Sequence, residues 1–293
     1  MRALRIDVMS KVFSTRFAMT TALSLALLET ASCLGDDRRT GPANTPQPAG
    51  EVASSGDAKV DGILDRLEVK GQAIKGLQCK LVYKYVTVDP VEDEQVKEGE
   101  LLFARADPNS RFLIVFKKLR AAGIERDTAE YYSFDGRWLT ERNDKAKTIK
   151  KTEIARSGER TDPFKIGKGP FPLPFGQKRD DILKNFRVEL ADFTLGDPRN
   201  TDHLHCIPNT NTELADKYSR VEIYVDRTLE LPVRIVTENI KDGNRIEVDF
   251  KDVDGGAAPA GSRFTIDEPK DFYVEVNPMS AQPTATQPGK QDG

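Results

Sequence analysis

Residues 131–142 read Tyr131-Tyr132-Ser133-Phe134-Asp135-Gly136-Arg137-Trp138-Leu139-Thr140-Glu141-Arg142. Asp-Gly between two runs of aromatic and polar residues is a strong hairpin signal, because glycine takes the positive φ that a tight two-residue turn demands. Strands are therefore expected over 131–134 and 137–142. The period of two recurs upstream, where Leu77, Cys79, Leu81, Tyr83 and Tyr85 alternate with more polar or smaller neighbours, the mark of a strand with one buried face. Residues 99–105 and 111–117 supply two strands between these, and 147–154 follows as a further one.

Downstream, prolines at 170, 172 and 174 interrupt the run from Gly167 to Phe175. Each removes a ladder donor, so the run is expected as an apolar loop, with Phe171, Leu173 and Phe175 guarding or plugging whatever lies beneath it. Ile182, Leu183 and Phe186 share a helical face and predict a short helix over 178–186. Strands are then expected at 187–194, 203–207, 220–226, 232–238 and 244–252, with 263–266 ending the series. Ahead of them all, Val60, Ile63, Leu64 and Leu67 fall at helical spacing behind Asp57, a suitable N-cap. Ten or eleven strands in meander order with two or three helices predict a mainly β (α+β) domain: one large curved antiparallel sheet covered on one face by helices.

The 44 basic and 47 acidic residues are spread along the chain and sum to −3, which gives no positive field for a phosphate backbone, so nucleic acid is not expected as a partner. Before the domain, Arg2, Arg5, Lys11 and Arg16 precede a largely apolar run at 17–28, the n-region and h-region of a secretory signal. That run is too short to span a bilayer. It ends at Thr30-Ala31-Ser32-Cys33, which resembles a bacterial lipobox and implies cleavage before Cys33 and acylation of that residue. Thr30 and Ser32 also suit the ordinary signal peptidase, so export to the periplasm is expected on either reading and the fate of Cys33 stays open. The expected organisation is a signal peptide at 1–32, a Gly/Pro/Ser-rich tether at 33–56, one domain at 57–276 and a polar tail at 277–293. With Cys33 set aside as an anchor, Cys79 and Cys206 could pair as a disulfide or stand as two free core thiols.

Several segments resemble the LolA/LolB lipoprotein-localisation family. They are Gly99-x-Leu101-x-Phe103 followed by Pro108 and Arg111, the hairpin around Asp135-Gly136, Leu231-Pro232, then Asp242-Gly243-Asn244 leading to Val248-x-Phe250-x-Asp252, and Phe264-x-Ile266-x-x-Pro269. The resemblance implies an incomplete β-barrel closed by a helical lid around an apolar cavity that holds lipid or lipoprotein acyl chains. Its expected lining is Leu101, Phe103, Phe112, Ile114, Phe116, Phe134, Trp138, Ile223, Val225 and Ile235, although for any one of them core packing is the simpler reading. An acylated Cys33 would make the protein a membrane-anchored acceptor, and an unmodified one a soluble carrier. The other reading is a non-enzymatic sensor or protein-interaction module that uses the same concave sheet. A monomer is expected, without cofactor.

Nothing in the sequence calls for catalysis. His203 and His205 alternate on one strand and share a face that Cys206 does not, and two ligands fall short of the three or four that zinc takes. There is no Gly-x-Ser-x-Gly elbow for a hydrolase. Residues 166–170 lack the frame of a phosphate loop, and Asp89, Glu92, Asp93 and Glu94 lack the ligand spacing of a calcium loop. Asp180-Asp181 is explained by helix capping.

Overall fold

The computed structural model describes residues 53–89, 92–107, 109–156, 158–159 and 175–279. The expected signal, Cys33, most of the tether, Phe171, Leu173 and the tail beyond 279 lie outside the described residues.

Helix α1 (Ala58–Ala73) begins where the sequence places it. Asp57 caps it by accepting the Lys59 amide at 2.7 Å, and it buries Val60, Ile63, Leu64, Leu67 and Gly71. Strands β1 (Gly76–Thr87), β2 (Asp93–Ala104), β3 (Arg111–Ala121), β4 (Ile124–Phe134), β5 (Trp138–Asn143) and β6 (Thr148–Glu153) follow as a meander. Helix α2 (Arg179–Asn185) leads into a second meander: β7 (Phe186–Leu190), β8 (Thr201–Pro208), β9 (Tyr218–Asp226), β10 (Pro232–Asn239) and β11 (Arg245–Gly256). β1 pairs antiparallel with β11 and joins the two series into one twelve-stranded sheet of order β12-β6-β5-β4-β3-β2-β1-β11-β10-β9-β8-β7, in which β12 is Tyr273–Asn277. The terminal strands β12 and β7 do not pair with each other, so the curved sheet stays an incomplete barrel, and the helices act as its lid.

The Asp135-Gly136 hairpin is present. Gly136 has φ +108°, and Asp135 Oδ1 accepts the amides of Arg137 and Trp138, both at 2.8 Å. Gly99, in the Gly99-x-Leu101 segment, sits at an irregularity where the β2–β3 register shifts. A Cβ there would lie 2.0 Å from the Val115 carbonyl oxygen. Only glycine lets the two strands approach this closely, and such a bulge adds bend to the sheet.

One expected strand is corrected. Residues 263–266 are not a strand: a 3-10 turn (Gly261–Phe264) tucks Phe264 against Leu102, Ala104 and Leu113 on the sheet face away from the helices. The closing strand is instead β12, which pairs parallel with β6. Of the two alternatives open for Cys79 and Cys206, the structure has two free, buried thiols. β11, β10 and β9 separate their strands, roughly 19 Å measured along the curved sheet at the usual strand spacing. Burial holds the Cys79 thiol up at about 12 and raises that of Cys206 as well.

Candidate functional site

Directly paired residues of an antiparallel ladder point to the same face, so the register fixes which side chains meet. Leu77, Cys79 and Leu81 of β1 oppose Phe103, Leu101 and Gly99 of β2. Phe103 and Leu101 oppose Phe112 and Ile114 of β3, and these oppose Phe134 and Tyr132 of β4. In the other direction Leu81 and Tyr83 oppose Phe250 and Val248 of β11, Val248 opposes Ile235 of β10, Ile235 opposes Ile223 of β9, and Ile223 opposes Leu204 of β8. One apolar floor therefore runs from β4 to β8. Rings interlock along it: Phe112 with Phe134 at 6.1 Å, and Phe116 edge-on to both Tyr83 and Tyr132 at 6.0 Å.

Nine of the ten expected lining residues lie on this floor, none more than 4% exposed. Trp138 does not. Leu139 opposes Phe134 and faces the floor, so by the period of two its neighbour Trp138 points to the opposite side of the sheet, half-buried with the Arg137 guanidinium 5.6 Å from its ring. A pattern of period two read one residue out of phase moves a side chain through the sheet.

Above the floor lies the lid. Phe175, the one described residue of the expected loop aromatics, is buried and meets Phe250 edge-on at 4.9 Å, so it fills the concave space. Polar contacts fasten the end of α1 to the segment after β2 and join the two lid helices to each other. Arg105, just past β2, donates from Nε to the Ile74 carbonyl at 3.0 Å and from Nη2 to the Gly71 carbonyl at 2.6 Å, gripping the orphan carbonyls at the end of α1. Arg179 at the start of α2 reaches Asp65 at 2.9 Å and Asp61 at 3.2 Å, and its amide donates to Glu68 at 2.9 Å. The amide and hydroxyl of the Ser54–Ser55 segment hold the Asp61 carboxyl at about 2. Where α1 meets the approach to α2, a Cβ on Gly71 would lie 2.8 Å from the Gly176 Cα.

The floor carries one charged interruption that sequence reading missed. Lys97 and Glu130 are both buried, and their Nζ and Oε2 form an ion pair. Lys97 lies over the Phe116 ring at 5.6 Å, and the Tyr132 hydroxyl donates to Glu130 at 3.3 Å. The partners are 33 residues apart, so no local pattern announces them. On the outer face His203 and His205 converge on the buried Glu222: His203 Nε2 lies 2.8 Å from Oε2, and His205 Nδ1 lies 3.0 Å from Oε1. Burial works to raise the Glu222 carboxyl, but the two histidines outweigh it and hold the group below the usual carboxylate range. No group of three or more His, Cys, Asp or Glu gathers into a metal-holding set among the described residues.

No family model matches the sequence, and no curated protein matches it. Among solved structures the chain is similar to an uncharacterized conserved protein from Thermus thermophilus, at 11% identity and TM-score 0.42, over 75% of this chain and 99% of that one. It is also similar to the MucA/MucB complex of Pseudomonas aeruginosa, at 17% identity and TM-score 0.39, over 72% of this chain and 62% of that one. A LolA superfamily protein from Nitrosomonas europaea is similar at 15% identity and TM-score 0.34, over 70% of this chain and 97% of that one. At these values what the concave face does has to be read from its own side chains.

Proposed function

We propose that this protein is a cell-envelope binding protein that holds lipid or lipoprotein acyl chains against the concave face of the sheet, beneath a displaceable helical lid. The observation that carries the reading is the continuous apolar floor from β4 to β8, built from Leu101, Phe103, Phe112, Ile114, Phe116, Phe134, Ile223, Val225 and Ile235 and covered by helices that polar contacts secure at their ends. Magnitudes make exchange of lid for guest balanced. The four apolar side chains of α1 gain about 1.5–3 kcal/mol each by burial, so lifting them costs about 6–12 kcal/mol. A palmitoyl-length chain burying roughly a dozen methylenes gains about 10 kcal/mol. One chain offsets most of the lid's burial, and the two or three chains of a lipoprotein exceed it. The N-terminal export signal read in the sequence supports a periplasmic location, and acylation at Cys33 would make the protein an anchored acceptor. No helix among the described residues is long and apolar enough to cross a membrane.

A second reading, a sensor or interaction module, draws on the closeness of the packing: the nine floor residues are all buried against the protein's own side chains. A native mass spectrum of full-length protein purified without detergent separates the two. Co-purified lipid is the expected result. A mass equal to the bare mature chain in repeated preparations would favour the module.

A further inference from the structure

The sheet has a second hollow, on the face that the lid does not cover. A cavity of about 560 Å³ opens between the outer side of β3–β6 and the segment 261–268 that crosses it. Its size is that of a small-ligand site. Arg111, Ser133, Trp138, Thr140 and Lys151 all project into it from the strands, because each alternates with a neighbour that faces the other way.

Among the described residues the charges of this wall are committed, with one exception. Lys151 pairs with Glu268 at 2.7 Å, Arg137 pairs with Glu153 at 2.7 Å, and Asp135 accepts two backbone amides. Asp107 and Arg156 are engaged as well. Arg111 is the exception. Its Nε is buried without a hydrogen-bond partner, and its Nη1 is pressed so close to Gly261 that a Cβ there would lie 2.9 Å away. A glycine at 261 leaves room for the guanidinium to stay in the cavity instead of being pushed out to water. Arg111 is half-buried in the cavity wall, and a guanidinium held there without a carboxylate partner can take an anion through its Nη groups. A planar five-donor fork matches an oxyanion.

We propose that this outer cavity binds a phosphate ester, its oxygens on Arg111 and its organic part along the Trp138 indole. Phosphate suits the wall better than carboxylate, since two oxygens can pair with the Arg111 fork while a third remains for the Thr140 hydroxyl of the same wall. The phosphate could belong to a soluble metabolite or to a lipid headgroup. The site is independent of the acyl-chain reading, because it lies on the other face of the sheet.

Trp138 is the chain's single tryptophan, so its emission reports on this cavity alone. The full-length protein is titrated with glycerol 3-phosphate and, separately, with phosphatidylglycerol vesicles. A saturable change of emission is expected below about 1 mM in at least one arm. A response to glycerol 3-phosphate assigns a soluble ester, and a response to vesicles alone assigns a lipid headgroup. Arg111→Gln is expected to weaken the response at least about tenfold and Arg111→Lys to weaken it less, while Lys80→Ala, at an exposed pair with Asp252 outside both the cavity and the lid, leaves it unchanged. No saturable change in either arm overturns the proposal, and so does an undiminished response in an Arg111→Gln protein of unchanged thermal midpoint. Tighter binding of acetate than of glycerol 3-phosphate overturns the phosphate assignment. Should Arg111→Gln fail to fold, Arg111→Lys carries the same comparison.

Discussion

The Lys97–Glu130 pair is a single polar event inside an apolar floor, and its energetics are asymmetric. A buried ion pair gains little over a well-packed apolar pair, but breaking it leaves one uncompensated charge. Lys97→Met is therefore expected to cost about 3–5 kcal/mol, and Lys97→Met combined with Glu130→Leu to recover most of that. Urea-unfolding midpoints check both; a double variant no more stable than the single one would contradict the pairing. Acid should weaken the fold through a different set of residues. The folded-state carboxyls of Asp61 and Glu222 lie below their ordinary values of 3.8 and 4.5, Asp61 at about 2. A depressed carboxylate contributes stability that is complete above its unfolded value and is lost as pH falls through its folded value. Unfolding free energies measured from pH 7 downward should accordingly hold level to about pH 5 and then fall towards pH 2. Glu222→Gln should flatten the upper part of that fall. A variant with the wild-type slope would remove Glu222 from the account.

At the scale of elements, the lid depends on a few polar contacts at its ends. Arg105→Ala removes the donors to Gly71 and Ile74, and amides of α1 should then exchange faster, by at least about tenfold, while β1–β3 keep their protection. Hydrogen exchange followed by mass spectrometry reads this directly; uniform protection in α1 would mean that apolar packing alone holds the lid. Gly99→Ala should cost about 3 kcal/mol, because the added carbon meets a carbonyl oxygen at the bulge and backbone must shift. Thermal unfolding checks this. Elements with a strong burial contrast were legible in the sequence: α1 shows four apolar residues on one face behind a capping aspartate, and β1 alternates cleanly. Elements without such contrast were not. The first half of β4, Ile124 to Ala129, faces solvent on both sides or nearly so, and its residues read as a charged loop. β12 is exposed along almost its whole length, so Tyr-Val-Glu-Val carries no one-sided pattern to separate it from a tail. Phe264 and Ile266 mimic the alternation of a strand, but only Phe264 is buried, as the anchor of a turn on the outer face.

At the scale of the whole molecule, hairpin turns and periods of two specify a meander, but the joining of two meanders through β1 and β11 is a long-range pairing that no local signal encodes. The floor was legible because a strand's phase assigns its faces, and Trp138 shows the limit of that method: one step in phase carried it across the sheet. Arg105 and the Lys97–Glu130 pair were not legible, since their partners are distant in sequence and neither residue type marks a lid contact or a buried charge. The central claim is that the floor accepts an acyl chain when the lid yields. It is tested most directly by titrating delipidated full-length protein with a fluorescent fatty acid. Saturable binding is predicted, weakened at least about tenfold by Phe112→Asp or Phe134→Asp in protein that still folds, since a charge on the floor disfavours burial of a hydrocarbon chain. No saturable binding to the wild-type protein, or equal binding to the folded aspartate variants, would contradict the account.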